Sequence, residues 1–374
     1  MQQKPGFWQR YKENRAKRHI EKLNQKLNQL VFSDQSKLPH EQIALQVQNL
    51  VESGANINYQ GNGKVEKTSV LMQAIITCNH QLVQYLVSNG ADVNLADNNG
   101  TTPLLAATTS FEGVIPKLLA HGANVNAQDK RGLSPLMQAA KNNNLRLVSY
   151  LLLKGAKPNL TDQHKQSALF YSGSNYRITQ TLLEQGADPK LVSLSKMTPL
   201  FTAQDPKAAE LLLRYGSDVN HRDFNRRTPL MVMANHPNLV KVLLQYGANP
   251  TLCDSEKDTA LHFAQNPQSI TLLVEAGADI DAQGSGKKTP LLCLAENPYT
   301  TPETLNALLQ YGPKPFNYSV WLYTCNQKLQ QILIDYQHNY QQGIRYKPHT
   351  TRNKRLKVSF TPETIAQHET VSSI

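Results

Sequence analysis

Residues 134–157 read SPLMQAAKNNNLRLVSYLLLKGAK, and the punctuation of this stretch decides the fold. Ser134 directly before Pro135 is an N-cap followed by proline at the first helical position, where the missing N–H costs nothing and φ is already set. A first helix starts there. Leu151-Leu152-Leu153 is the buried stripe of a second helix, and Gly155 supplies the left-handed position that ends it. Gly155-Ala156-Lys157 then opens a turn that leads to the next such unit.

The same punctuation recurs along the chain. Thr102-Pro103-Leu104, Thr198-Pro199-Leu200, Thr228-Pro229-Leu230 and Thr289-Pro290-Leu291 repeat the start, with weaker copies at Thr68-Ser69-Val70, Ser167-Ala168-Leu169 and Thr259-Ala260-Leu261. A turn of the type Gly-Ala-Asp/Asn follows each, at Gly90, Gly122, Gly155, Gly186, Gly216, Gly247 and Gly277, and Gly312-Pro313 closes the series. The starts advance by 30 to 34 residues, a period that means stacked supersecondary units. From Ser167 onward the repeats are shorter, and the deficit falls between the helices. Asp205-Pro206, His236-Pro237 and Asn266-Pro267 there predict the cap and first-turn proline of the second helix.

This pattern resembles the ankyrin repeat family, whose unit is a β-turn and two helices with a T-P-L-H-x-A signature. The resemblance covers about residues 41–312 and its compact units are similar to those of bacterial ankyrin proteins. It implies an all-α solenoid of about eight repeats, each a helix-turn-helix plus a β-hairpin finger, with terminal caps. It also implies a non-catalytic scaffold that binds a protein partner through a concave surface of fingers and first helices. The family's His after Pro-Leu survives only as His262; Leu105, Met137, Phe170, Phe201, Met231 and Leu292 hold the place elsewhere, which predicts apolar packing there.

The organisation expected around the repeats has four parts. Residues 1–35 form a basic amphipathic arm, with Ile20, Leu23, Leu27 and Leu30 at helical spacing; docking on the first repeat is the preferred reading, ahead of a membrane surface or a partner. Residues 36–312 form the solenoid, opened by a half-repeat carrying Ile43, Leu45, Val47, Leu50 and Val51. Residues 313–342 form a helical cap with Val320, Trp321, Leu322, Leu329, Ile332, Leu333 and Tyr336, since terminal repeats must shield the core. Residues 343–374 form a basic tail.

Charge follows the same division. The chain carries a net +11, of which residues 1–27 hold +6 and residues 343–358 another +6, while residues 28–342 hold only +1. Any affinity for nucleic acid or anionic membrane therefore belongs to the ends. Its candidates are Arg10, Lys12, Arg15, Lys17, Arg18, Arg345, Lys347, Arg352, Lys354, Arg355 and Lys357, with Trp8, Tyr11 and Tyr346 for stacking. An adaptor tethered by these ends is the alternative to a plain scaffold.

The body has its own charge feature. Two residues before the capping Thr or Ser the family usually has Gly, as at Gly100 and Gly132; the next five repeats have Lys165, Lys196, Arg226, Lys257 and Lys287, with Lys130, Arg131, Arg227 and Lys288 nearby. Stacked repeats would set such rungs about 10 Å apart, a cation ladder for an acidic protein partner. Asp162, Asp223 and Asp254 soften its field and bond turn amides. If the ladder is only a solvated face, recognition passes to Met137, Gln138, Phe170, Phe201 and Met231.

Chemistry is not read from the remaining motifs. Gly284-Ser285-Gly286-Lys287-Lys288-Thr289 lacks the glycine and the Ser/Thr positions of a P-loop, and there is no His-Glu-x-x-His or nucleophile elbow. No enzyme activity, cofactor or metal is expected, and His262 is expected to bond within the repeats. Cys78, Cys253, Cys293 and Cys325 stand far apart, which argues for a reducing compartment. A monomeric, soluble, cytoplasmic protein is expected.

Overall fold

The structure, a computed structural model, describes residues 7–32, 38–61, 67–315 and 327–344. They fall into two compact units, divided after Gly216.

The first unit opens with α1 (Phe7–Phe32) and α2 (His40–Glu52). Helix pairs follow: α3 (Val70–Ile76) with α4 (His80–Ser88), α5 (Pro103–Ser110) with α6 (Ile115–Ala120), α7 (Pro135–Lys141) with α8 (Leu145–Leu153), and α9 (Ala168–Tyr171) with α10 (Tyr176–Glu184). A 3₁₀ turn at Pro199–Thr202 and α11 (Pro206–Arg214) complete it. The expected caps start these helices. Ser134 Oγ accepts from the Met137 N–H at 3.3 Å, and Thr102 and Ser69 do the same for Leu105 and Met72. Asparagine caps three of the second helices, α4, α8 and α10: Asn79, Asn144 and Asn175 accept from Leu82, Leu147 and Ile178. Gly155, at φ 86°, ends α8.

First helices pack on first helices and second on second. α3 meets α5, α5 meets α7 and α7 meets α9 in one row, while α2 meets α4, and α10 meets both α8 and α11, in the other. Between the rows lie Leu104, Leu136, Leu169 and Leu200 from the first helices, and Leu86, Leu118, Leu151, Leu182 and Leu212 from the second, all fully buried. Each buried leucine contributes about 1.5–3 kcal/mol. Side-chain amides also link successive repeats. Asn126 Oδ1 accepts from the Lys157 N–H at 2.8 Å while its Nδ2 donates to Gly155 O at 3.1 Å. Asn94 and Asn159 bridge in the same way, to Asn124 and Gly122 and to Asp188 and Gly186.

Two local expectations are corrected here. Thr198-Pro199 starts a four-residue 3₁₀ turn, Pro199–Thr202, rather than an α-helix. The hydroxyls of Ser167 and Thr198 are buried without a hydrogen-bond partner instead of capping. The fingers are tight turns, closed in one case by Asp129 N–H to Leu133 O (3.1 Å) and Gly132 N–H to Asp129 O (2.8 Å). Among the described residues, extended pairing is limited to isolated antiparallel bridges such as Gln60–Ser69.

α1 covers the start of this unit. Leu23 and Leu27 are buried and α1 packs on α2 and α3, with Asn24 Oδ1 accepting from the Asn56 N–H at 2.9 Å. The arm docks on the first repeat.

The second unit contains α12 (Pro229–Val232), α13 (Pro237–Gln245), α14 (Ala260–Phe263), α15 (Pro267–Glu275), α16 (Pro290–Glu296), α17 (Pro302–Leu309) and α18 (Gln327–Gln341). Leu230, Leu261 and Leu291 face Leu243, Leu273 and Leu308 across its buried layer. Asn266 caps α15 through Gln268, and Thr301 caps α17 through Thr304. α18 packs on α17 and buries Leu329, Leu333 and Tyr336, whose hydroxyl donates to Pro313 O at 2.6 Å. Val320, Trp321 and Leu322 of the expected cap lie outside the described residues. Among the described residues no helix is long and apolar enough to cross a membrane.

Candidate partner-binding fingers

Six of the fingers are organised around one side chain at the base, and a seventh has Gly284 there. In the first unit Asp97, Asp129 and Asp162 each accept two amides across the turn, as Asp129 does from Arg131 (2.9 Å) and Leu133 (2.8 Å). Ser193 Oγ takes this role for Met197. In the second unit Asp223 accepts from Arg227, and Asp254 from Glu256 and Asp258. The aspartates therefore do the local work expected of them, bonding turn amides.

Tips are also stitched to the preceding finger. Lys130 N–H donates to Asn99 O at 2.7 Å, Gln163 N–H to Arg131 O at 2.8 Å and Leu194 N–H to His164 O at 2.9 Å; in the second unit Ser255 N–H donates to Asn225 O at 3.0 Å. The tip backbone is thus held from both sides.

The turn reverses through one residue in the left-handed region. Glycine occupies it at Gly100 and Gly132, both at φ 76°, and at Gly132 the choice is forced, since a Cβ would stand 2.7 Å from Asp162 Cα. The five following tips use the same conformation without glycine: Lys165 (φ 58°) and Lys196 (57°) in the first unit, Arg226 (62°), Lys257 (71°) and Lys287 (59°) in the second. A non-glycine residue costs about 1–2 kcal/mol there. The strain at these cations has its sequence signal in Gly100 and Gly132, which stand in the same register.

The cations differ in what engages them. Arg131 pairs with Asp129 at 2.9 Å; Arg227 lies 3.6 Å from Asp254 and 5.3 Å over the Phe263 ring; Lys288 pairs with Glu296 at 2.6 Å, which raises its pKa. These three are tied to their own units. Lys130, Lys165, Lys196, Arg226, Lys257 and Lys287 are exposed, and among the described residues Lys165, Arg226, Lys257 and Lys287 make no ion pair.

The fallback set of contacts is corrected. Met137, Phe170, Phe201 and Met231 are buried against neighbouring repeats, and Gln138 is half-buried, so four of the five offer no surface to a partner. The apolar substitutes for the family histidine went inward. His262 bonds within the repeats as expected: Nδ1 accepts from the Thr259 N–H at 3.1 Å and Nε2 lies 3.1 Å from Lys288 O. The glycine-rich stretch at Gly284 is a finger, with Ser285 N–H donating to Asp258 Oδ1 at 3.0 Å.

On α1, Lys12, Arg15, Lys17 and Arg18 are exposed, as is Tyr11. The side chains of Trp8 and Arg10 lie outside the described residues, as do Arg345, Tyr346, Lys347, Arg352, Lys354, Arg355 and Lys357.

Comparison with known proteins agrees with the geometry. The family model "Ankyrin repeats (3 copies)" matches residues 42–129, 106–193, 136–223, 200–284 and 230–319. Dog inversin is 34% identical over 110 residues, 28% of this chain and 10% of its own length. Human ankyrin repeat and SOCS box protein 6 is 32% identical over 102 residues, 24% of each chain. The chain thus spans a tenth to a quarter of these relatives. The crystal structure of the human ASB11 ankyrin repeat domain aligns with 57% of this chain and 99% of its own, at TM-score 0.50 and 24% identity, a likeness of fold.

Proposed function

Because this chain belongs to the ankyrin repeat family, we propose that it is a non-catalytic scaffold whose fingers bind an acidic protein partner. One observation carries the reading: five successive tips hold Lys165, Lys196, Arg226, Lys257 and Lys287 in a conformation where glycine would be the more stable residue. Stability is given up at each, and at Lys165, Arg226, Lys257 and Lys287 the charge gained enters no ion pair among the described residues. Lys165 and Lys196 in the first unit, and Arg226, Lys257 and Lys287 in the second, then contribute mainly to association rate and specificity, as rim charges do. Lys130 adds to the first set, while Arg131, Arg227 and Lys288 set the finger shape through their ion pairs. Free Cys78, Cys253 and Cys293 support work in a reducing, intracellular compartment.

The test uses affinity capture from the native cell with the full chain and two variants. Replacing the five cations by Glu should abolish capture. Replacing them by Gly should raise stability yet weaken capture, with a shallower salt dependence. A Gly variant that captures the same partner equally at low and physiological salt would overturn the acidic-partner reading.

A second reading, contact with nucleic acid through the basic ends, is favoured by one observation. Lys12, Arg15, Lys17 and Arg18 face water on α1 while its apolar residues Leu23 and Leu27 are engaged by the repeats. That occupancy leaves charge rather than an amphipathic face for a membrane. Alanine at these four cations should lower heparin retention and leave melting unchanged; unchanged retention would remove the reading.

A further inference from the structure

We propose that the fingers of the second unit take an acidic segment that also carries bulky apolar side chains, with Phe224 as the apolar contact. This rests on the acidic-partner reading and adds the second half of the partner's chemistry. Phe224 stands at the tip of the Asp223–Arg227 finger and is 73% exposed. The other phenylalanines with described side chains, Phe32, Phe111, Phe170, Phe201 and Phe263, are buried or half-buried. An aromatic ring at a rigid tip is a large contact surface that loses little entropy on binding.

The finger is rigid by construction. Asp223 N–H donates to Arg227 O at 3.0 Å, Arg226 N–H donates to Asp223 O at 2.9 Å, and Asp223 Oδ1 accepts from the Arg227 N–H at 2.8 Å. Asn225 O takes the Ser255 N–H of the next finger. Arg227 is drawn back toward Asp254 and the Phe263 ring, away from the tip pair of Phe224 and Arg226. Exposure of Phe224 is therefore a property of the fold and not of a loose loop.

Charge complementarity names the occupant. Arg226 lies two residues from Phe224, and Lys257 and Lys287 hold the matching position on the following two fingers, where Ser255 and Ser285 stand in the place of Phe224. The row thus offers one aromatic anchor followed by small tips and three exposed cations. Asp223 and Asp254 are spent on turn amides, and Glu256 is the exposed carboxylate at these tips. A basic or neutral apolar segment would meet like charge or leave the cations unanswered. A purely acidic one would leave the phenylalanine in water. A segment mixing carboxylates with aromatic or branched apolar residues answers both.

The experiment measures binding of two synthetic peptides to the full chain. One contains glutamate and serine; the other has equal length and charge, with phenylalanine and leucine in place of serine. The apolar-bearing peptide should bind about tenfold tighter, through slower dissociation. Phe224→Ala should erase that difference without changing salt dependence, and Phe224→Leu should keep most of it. Arg226→Glu with Lys257→Glu and Lys287→Glu should weaken both peptides. Equal affinity for the two peptides, or a preference that survives Phe224→Ala, overturns the apolar contact and leaves the acidic-partner reading standing. Failure of both peptides to bind, or an oligonucleotide of equal charge binding as tightly as the apolar-bearing peptide, overturns that reading and this proposal together.

Discussion

Lys165 and Gly132 occupy the same step of successive fingers and respond oppositely to mutation. Lys165→Gly relieves a left-handed lysine and should raise unfolding free energy by about 0.5–1 kcal/mol in urea titration, the strain released less the extra entropy of unfolded glycine. Gly132→Ala adds a Cβ 2.7 Å from Asp162 Cα and should lower it by more than about 2 kcal/mol. Equal effects would mean that the tip backbone relaxes around its residue. In the second unit, burial sets an alkaline limit. It pushes the Cys293 thiol from 9.0 up to about 11 and, with Tyr340 and Asp281 nearby, the Tyr336 phenol from 10.0 up to about 12. Both groups are held neutral by the fold, so their contribution is complete below pH about 9 and is lost as pH rises toward about 12. Denaturant midpoints across that range should fall in the wild type, and less steeply in Cys293→Ser. Charge position at the tips was legible in the sequence. The inward packing of Met137, Phe170, Phe201 and Met231 was legible too, from apolar residues standing where the family has His, and it removes them as an alternative contact surface.

At the scale of elements, α1 has two faces, one buried on the repeats through Leu23 and Leu27 and one of exposed cations. Leu27→Ala should cost about 2–5 kcal/mol through lost burial and a cavity against α2 and α3. Alanine at Arg15, Lys17 and Arg18 together should cost almost nothing, and thermal melting of the two variants separates cap from charge. If Leu27→Ala melts like the wild type, α1 is not the cap. Helix starts and stops were the most legible elements, because Ser, Thr, Asn and Asp caps, first-turn prolines and terminal glycines act locally. Asn266-Pro267 was read as a start and is one. Thr301-Pro302 starts α17 in the same way but stands outside the register of the other starts, so the repeat period does not mark it. The 3₁₀ turn at Pro199 was illegible for a different reason: its threonine and proline are the residues that start an α-helix elsewhere in the chain. The asparagine bridges escaped notice too, although Asn94, Asn126 and Asn159 share one register.

For the whole molecule, repeats that touch only their neighbours should fail locally. Leu212→Ala, in the fully buried face of α11, should cost about 2–5 kcal/mol. Hydrogen exchange should then loosen α10 and α11 first and leave α3 to α5 protected; uniform loosening of the first unit would contradict the repeat organisation. The steric limit at Gly132 fixes which tip residues can stand where. A unit ending in a glycine tip fits wherever a left-handed tip is needed, so copying it downstream only erases a charge. A unit ending in a lysine tip cannot be copied to the place before the Asp162 finger, where its Cβ would strike backbone. Tip residues are therefore exchangeable in one direction only at that place: glycine meets the backbone demand of every left-handed tip, whereas lysine and arginine stand only at the five tips that follow Gly132.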